Sequence, residues 1–288
     1  MKIILLVTLM LTSLVARSAI AVFDIKTLPG INTRITAMGE CEQYFWIGTD
    51  QGIYRYNKKT GKRSLFNTSN CTLPSNHVTS ICCTSSGQTY IGTTAGMLLW
   101  DHSTFILLTM ENSGIPDNYI TALAEDKSGD LWIGTFHGGL VKATSDPIRP
   151  YKCRAIKLEN ENIYSLAINS QGGVWVGFYN GNFACVQNGA CEHFEKEQLI
   201  SSLQASNVPP FLLNTHDQGI LVFDGANFQS FDIIPLNSVK MNGCYYNAKF
   251  ESLFLFYENG VYAYNSQYPF DLRNFEYNDE FIDALSSK

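Results

Sequence analysis

Charge, histidine and catalytic signatures are all scarce in this 288-residue chain. Charged residues make up 16% of it and histidines number five. No G-x-S-x-G elbow, H-E-x-x-H pair, phosphate-cradling glycine loop or recognisable Ser-His-Asp grouping occurs. No catalytic residue is therefore assigned, and no cofactor is expected. Metal chemistry lacks its spacing too. Cys82 and Cys83 are adjacent rather than C-x-x-C, and no histidine falls at a ligand interval from a cysteine. Basic excess is missing: a net charge of −6 argues against nucleic acid or an anionic membrane surface as partner. Long amphipathic helical periodicity is missing as well, and the nearest stretch, Glu195 to Gln204, fits a strand equally. No linker or low-complexity segment interrupts residues 22–288, which are expected to form one domain.

The longest apolar run lies at the N-terminus. Lys2 precedes Ile3 to Ala16, and Ala19-Ile20-Ala21 is an A-x-A cleavage signal. Residues 1–21 read as a secretory signal peptide cut after Ala21. The alternative, a membrane anchor, needs about 20 apolar residues, more than this run offers. Loss of Lys2 and Arg17 with the leader leaves 18 basic against 26 acidic residues, a charge of −8. With no transmembrane segment in the mature chain, a soluble periplasmic or secreted protein is expected.

What the chain has in abundance is a repeat. Trp46-Ile47-Gly48-Thr49, Tyr90-Ile91-Gly92-Thr93, Trp132-Ile133-Gly134-Thr135 and Trp175-Val176-Gly177-Phe178 are followed by Gly52, Gly96, Gly138 and Gly181, and their aromatic leaders lie 44, 42 and 43 residues apart. Degenerate copies follow at Leu212-Leu213-Asn214-Thr215 and Phe254-Leu255-Phe256-Tyr257. A fixed period of this length means a stacked or radial array of one unit. In the third copy, strands are expected from Ile120, over Leu131 to Thr135, from Leu140, and over Tyr151 to Leu158 after a proline-bearing loop. Four antiparallel strands per repeat predict an all-β fold, a β-propeller of four-stranded blades. Six blades are expected, although the chain after Ser266 would suffice for a seventh, irregular one. Connectors repeat as well, in Leu73 to Val78, Ile115 to Ile120 and Pro235 to Val239. Phe23 to Ile35 resembles such a connector with the strand before it, which predicts that the N-terminal strand closes the ring and removes its open edges.

All eight cysteines lie in the mature part, which suits an oxidising compartment. Cys185 and Cys191 flank Asn188-Gly189, a strong hairpin signal, so a cross-hairpin disulfide is expected there. Cys41 and Cys83 hold nearly the same place in neighbouring repeats, where either an inter-blade bridge or two free buried thiols would fit. Asn67-Thr68-Ser69 and Asn70-Cys71-Thr72 are glycosylation sequons, a pattern that also arises by chance.

The run from Ile120 to Leu140, and Trp46 to Asn57, resemble the two-component regulator propeller repeat. That resemblance implies an extracytoplasmic propeller of the kind that forms the sensor part of membrane-bound bacterial histidine kinases, several of which bind oligosaccharides. No second propeller, transmembrane helix or kinase accompanies it here, so no signal is expected to pass inward through this chain alone. The motif residues Trp46, Gly48, Tyr90, Gly92, Trp132, Gly134, Trp175 and Gly177 read as architecture: rings wedged between blades, and glycines where backbones approach.

Function is expected where the repeat fails to repeat. One residue before each inner strand stand Arg34, His77, Tyr119, Asn162, Leu199 and Ser238. The turns after the second strands carry Asp50-Gln51, Thr94-Ala95, Phe136-His137, Tyr179-Asn180, His216-Asp217 and Glu258-Asn259. Arg34, His77, Tyr119, Asn162, Phe136, His137, Tyr179 and His216 are the candidate ligand-binding residues of a channel mouth. Rings for stacking and polar groups for orientation suit a small polar ligand or glycan. The alternatives are a scaffold for another extracytoplasmic or membrane protein, and a lyase or hydrolase in which His77, His137 and His216 meet Asp217 or Glu258.

Overall fold

A computed structural model describes residues 33–146, 149–156, 158, 162–169 and 171–194, and beyond them strands between residues 200 and 265. It is almost entirely strand, arranged as six antiparallel sheets. The first is β1 (Ile35–Glu40), β2 (Tyr44–Thr49), β3 (Gly52–Asn57) and β4 (Arg63–Phe66). The second is β5 (Val78–Cys83), β6 (Thr89–Thr93), β7 (Gly96–Trp100) and β8 (Phe105–Leu108), and the third is β9 (Ile120–Glu125), β10 (Leu131–Thr135), β11 (Leu140–Asp146) and β12 (Arg149–Ile156). The fourth is β13 (Ile163–Ile168), β14 (Val174–Phe178), β15 (Phe183–Gln187) and β16 (Ala190–Phe194). The fifth is β17 (Ile200–Gln204), β18 (Phe211–Thr215), β19 (Gly219–Phe223) and β20 (Phe228–Ser230), and the sixth is β21 (Met241–Asn247), β22 (Ser252–Tyr257) and β23 (Gly260–Asn265).

Each sheet is a blade in which sequential strands pair side by side. The first strands of successive blades neighbour one another from β1 through β5, β9, β13 and β17 to β21, and β21 also lies against β1. They are therefore the inner strands. The sixth sheet holds three strands among the described residues. The expected N-terminal partner strand and any seventh blade lie outside the described residues.

Two strand boundaries differ from the sequence reading. β11 and β12 form one long hairpin whose pairing runs from Leu140–Ile156 to Asp146–Arg149, so the fourth strand begins at Arg149 and takes in Pro150, ahead of the expected start at Tyr151. In the sixth blade, Met241 pairs with Tyr257 at the start of the inner strand, which places that start beyond Val239 and makes Ser238 no lead-in residue.

The repeat motif builds the seams between blades. Buried clusters join Tyr90 to Ile120, Leu131 and Ile133 of the third blade, and Trp132 to Ile163, Val174 and Val176 of the fourth. Trp46 is fully buried with its ring 6.1 Å from that of Trp100 in the second blade. The glycine two residues on leaves room for the next inner strand. A Cβ added at Gly48, Gly92 or Gly134 would stand 2.5, 2.8 or 2.6 Å from Val78, Ile120 or Ile163 respectively. Thr49, Thr93 and Thr135 are wholly buried, and their hydroxyls donate across the turn to the carbonyls of Gly52, Gly96 and Gly139 at 2.7–2.8 Å.

Every inner strand carries a β-bulge at its second residue. Pairing skips Thr36, Thr79, Thr121, Tyr164, Ser201 and Asn242 in turn. Bulges re-aim side chains and often border functional sites. Here all six stand at the end of the disc where the inner strands begin.

The disulfides differ from the leading expectation. Cys41 and Cys83, at the ends of β1 and β5 and on the face opposite those bulges, form a bridge between blades with Cα atoms 5.4 Å apart. No disulfide joins Cys185 to Cys191. The hairpin register sets Cys185 opposite Glu192 and Cys191 opposite Val186. Successive residues face opposite sides of a strand, so the two cysteines, one position out of register, point to opposite faces of the hairpin.

Candidate functional site

Three lead-in residues and three turns meet on one face, as the topology requires. The N–H of Asp50 donates to the carbonyl of Arg34 at 3.3 Å, that of Phe136 to Tyr119 at 3.0 Å, and that of Tyr179 to Asn162 at 3.0 Å. These bonds lock each turn after a second strand onto the residue that opens its own inner strand. His216 lies outside the described residues, as do Asp217, Glu258 and Leu199.

Blades three and four bring a row of rings together. Tyr119 stacks on Phe136 with centroids 5.0 Å apart and planes at 25°. Phe136 meets His137 edge-on at 4.5 Å and Tyr179 edge-on at 5.5 Å. Tyr179 continues to Tyr164 at 5.9 Å. The outer end is open to solvent, with His137 70% and Tyr179 51% exposed.

Two residues of this wall were not singled out in the sequence. Tyr164 occupies the bulge position that is threonine in the three preceding blades. Burial pushes its phenol pKa up, Tyr179 and Tyr119 push it further, and Arg34 opposes them. Tyr164 therefore lies where side chains from the first, third and fourth blades feel one another. Its signal was legible in hindsight as an aromatic breaking a threonine column.

Asp117 is the second. Its Oδ1 accepts the N–H of Tyr119 at 3.0 Å, and its Oδ2 accepts that of His137 at 2.8 Å with His137 Nδ1 3.5 Å away. One carboxylate thus positions the lead-in residue, the turn and the imidazole. Ser75 does the same work in the second blade, accepting the N–H of His77 at 3.2 Å and bonding Thr94 Oγ1 at 2.8 Å.

The first two blades supply a charged side to the mouth. Arg34 is exposed and His77 half-buried. Burial lowers the His77 pKa, the Arg34 charge lowers it further, and Asp50 opposes both. A neutral imidazole beside an exposed guanidinium offers donors without a dense positive field. The mouth is thus aromatic along blades three and four and polar along blades one and two.

Other sequence candidates are placed away from this face or used structurally. Asn70 Nδ2 donates to the Leu65 carbonyl at 2.9 Å, and Asn112 Nδ2 bonds Leu107 at 3.0 Å one repeat later. The second sequon asparagine is therefore part of the connector's own bonding. Cys191 Sγ lies 3.2 Å from His193 Nε2. Among the described residues no group of three or more His, Cys, Asp or Glu could hold a metal ion, and no helix is long and apolar enough to cross a membrane.

Comparison with known proteins agrees with the fold. The extracellular domain of BT4673 from B. thetaiotaomicron superposes with a TM-score of 0.64 at 19% identity, over 82% of this chain and 33% of that one. The extracellular domain of the hybrid two-component system BT3049 from the same organism gives 0.62 at 18%, over 84% and 35%. This chain thus spans about a third of the length of those domains. Virginiamycin B lyase from Staphylococcus aureus gives 0.62 at 15% identity, over 84% of this chain and 87% of the enzyme. Identities this low speak for a shared propeller fold. No curated protein matches the chain in sequence. The family model of the two-component regulator propeller matches residues 72–95 and 114–137, and those two segments carry its repeat.

Proposed function

We propose that the protein is an exported, non-catalytic propeller that binds a small polar ligand, an oligosaccharide in the first instance, at its channel mouth. The observation that carries this reading is the continuous run of rings from Tyr119 through Phe136 and Tyr179 to Tyr164. Flat ring faces suit the apolar face of a sugar, and convergent polar groups orient its hydroxyls. Arg34, His77, Asn162 and His137 are the polar groups assigned to that task, with His216 on the turn of the fifth unit. The likeness to extracellular domains of sensor systems supports an extracytoplasmic place, reached by cleavage of residues 1–21. The bound state would be read by a separate extracytoplasmic or membrane protein.

The test is a glycan array with thermal-shift confirmation on the mature chain and on a Tyr119→Ala/His137→Ala variant. Loss of ligand-induced stabilisation in the variant is expected, by tenfold or more in apparent affinity, the equivalent of about 1.4 kcal/mol. Ligand binding that survives the double substitution unchanged sinks the mouth as the site. The pair Asp117 and His137 gives the enzyme reading a specific foothold, because a carboxylate-oriented imidazole is an acid–base device. Turnover of a bound ligand that disappears with His137→Ala would replace the binding reading with that one.

A further inference from the structure

Blades one and three use the same cross-strand pair in different surroundings. In blade three, Trp132 stands opposite Lys142. Trp132 Nε1 donates to Asp126 Oδ2 at 2.9 Å, and Lys142 Nζ donates to the same oxygen at 2.8 Å while lying 5.2 Å from the indole centroid. One carboxylate satisfies both. In blade one, Trp46 stands opposite Arg55. The position of Asp126, whose N–H bonds the carbonyl across the first turn, is held there by Cys41. Its sulfur is committed to Cys83.

The acceptor is therefore missing from blade one. Trp46 Nε1 and Arg55 Nη1 are both buried without a hydrogen-bond partner. Trp100 from blade two brings a third such donor: its Nε1 is buried and unpartnered, and its ring centroid is 4.5 Å from Arg55 Cζ. Tyr44 and Phe66 flank the guanidinium at 4.6 and 4.9 Å. Trp46 is 0% and Trp100 8% exposed. Aromatic faces hold the cation in place, but they accept none of the N–H bonds that burial has stripped of water. Buried donors left unpaired in this way call for an explanation, of which local strain, a water and an ion are the candidates. A cation among the donors favours the ion.

We infer that the seam between blades one and two binds a small oxyanion, a monocarboxylate by preference, held by Arg55, Trp46 and Trp100 where blade three uses the side chain of Asp126. This site is independent of the channel mouth.

Thermal melts of the mature protein in sodium acetate against sodium chloride at constant ionic strength test it. A saturable, acetate-specific rise in Tm of about 2–4 °C is expected, as binding to the folded state alone produces. Arg55→Gln should abolish it. Trp46→Phe, which keeps the ring and loses the donor, should weaken it and serves if the arginine variant does not fold. An internal carboxylate gives the sharper comparison: Cys41→Asp/Cys83→Ser should melt without regard to acetate, while Cys41→Ser/Cys83→Ser should still respond. Equal melting of the wild type in the two salts, which leaves water as the occupant, overturns the inference. So does an acetate response that Arg55→Gln or, where that variant does not fold, Trp46→Phe leaves at its full size.

Discussion

At the scale of the residue, Asp126 shows how a repeat position acquires a stabilising charge. Burial pushes its carboxyl pKa up, but Lys142, the Trp132 indole and the Asp130 N–H outweigh burial and hold it below the ordinary 3.8. A depressed carboxyl contributes stability that is complete above its unfolded pKa and is lost as pH falls through the folded value. Lys142 is displaced upward; burial lowers its pKa, and Asp126 and Asp130 raise it by more, so its share is complete below 10.5 and lost in strong alkali. Asp126→Asn should therefore destabilise the protein by about 1–3 kcal/mol at neutral pH, and the gap to wild type should narrow below about pH 4. Urea melts at pH 7 and pH 3 measure both; a gap that stays constant with pH would assign the effect to packing. The role of Asp126 was not legible in the sequence, because its partners lie across a hairpin that spacing does not reveal.

At the scale of the element, the glycine of each aromatic-aliphatic-glycine motif decides how closely blades approach. Gly134 faces Ile163 of the next inner strand, and a methyl there would stand 2.6 Å from the isoleucine side chain. The β-branched neighbour has few rotamers with which to yield. Gly134→Ala should cost about 1–3 kcal/mol by overpacking the seam, read as a lower urea midpoint with an unchanged slope. An unchanged midpoint would remove the seam from the explanation. The motif's importance was readable from its period, whereas the partner of each glycine lies in the following repeat and emerges only when blades stack. The bulges at the second residue of each inner strand were invisible for a related reason: alternation of side chains places a residue on a face but does not show where pairing skips one.

At the scale of the whole molecule, six sheets share inner strands that neighbour one another from β1 to β21 and back to β1. A bridge from Cys41 to Cys83 ties the first two blades across a separation of 42 residues. Closing a loop of that length removes unfolded-state freedom, so the Cys41→Ser/Cys83→Ser variant should lose about 2–4 kcal/mol against the oxidised protein. Urea unfolding with and without reductant checks this: reductant should shift the wild type alone. An unchanged midpoint in the variant would show that blade packing by itself holds this seam. The row of rings belongs to the same scale, since Tyr119, Phe136, Tyr164 and Tyr179 come from two blades and meet only when those blades stack.

The period of the aromatic-glycine motif determined the propeller by itself, because one strand-rich unit of this length has few ways to bury its faces other than by stacking on copies of itself. It also marked the non-repeating lead-in and turn residues, since architecture repeats and recognition need not. Tertiary structure alone decided which of these touch, that Tyr164 and Asp117 join them, and that Cys41 pairs with Cys83 rather than Cys185 with Cys191. Those outcomes depend on strand register and on the angle between blades, and both are set by packing between residues some forty positions apart.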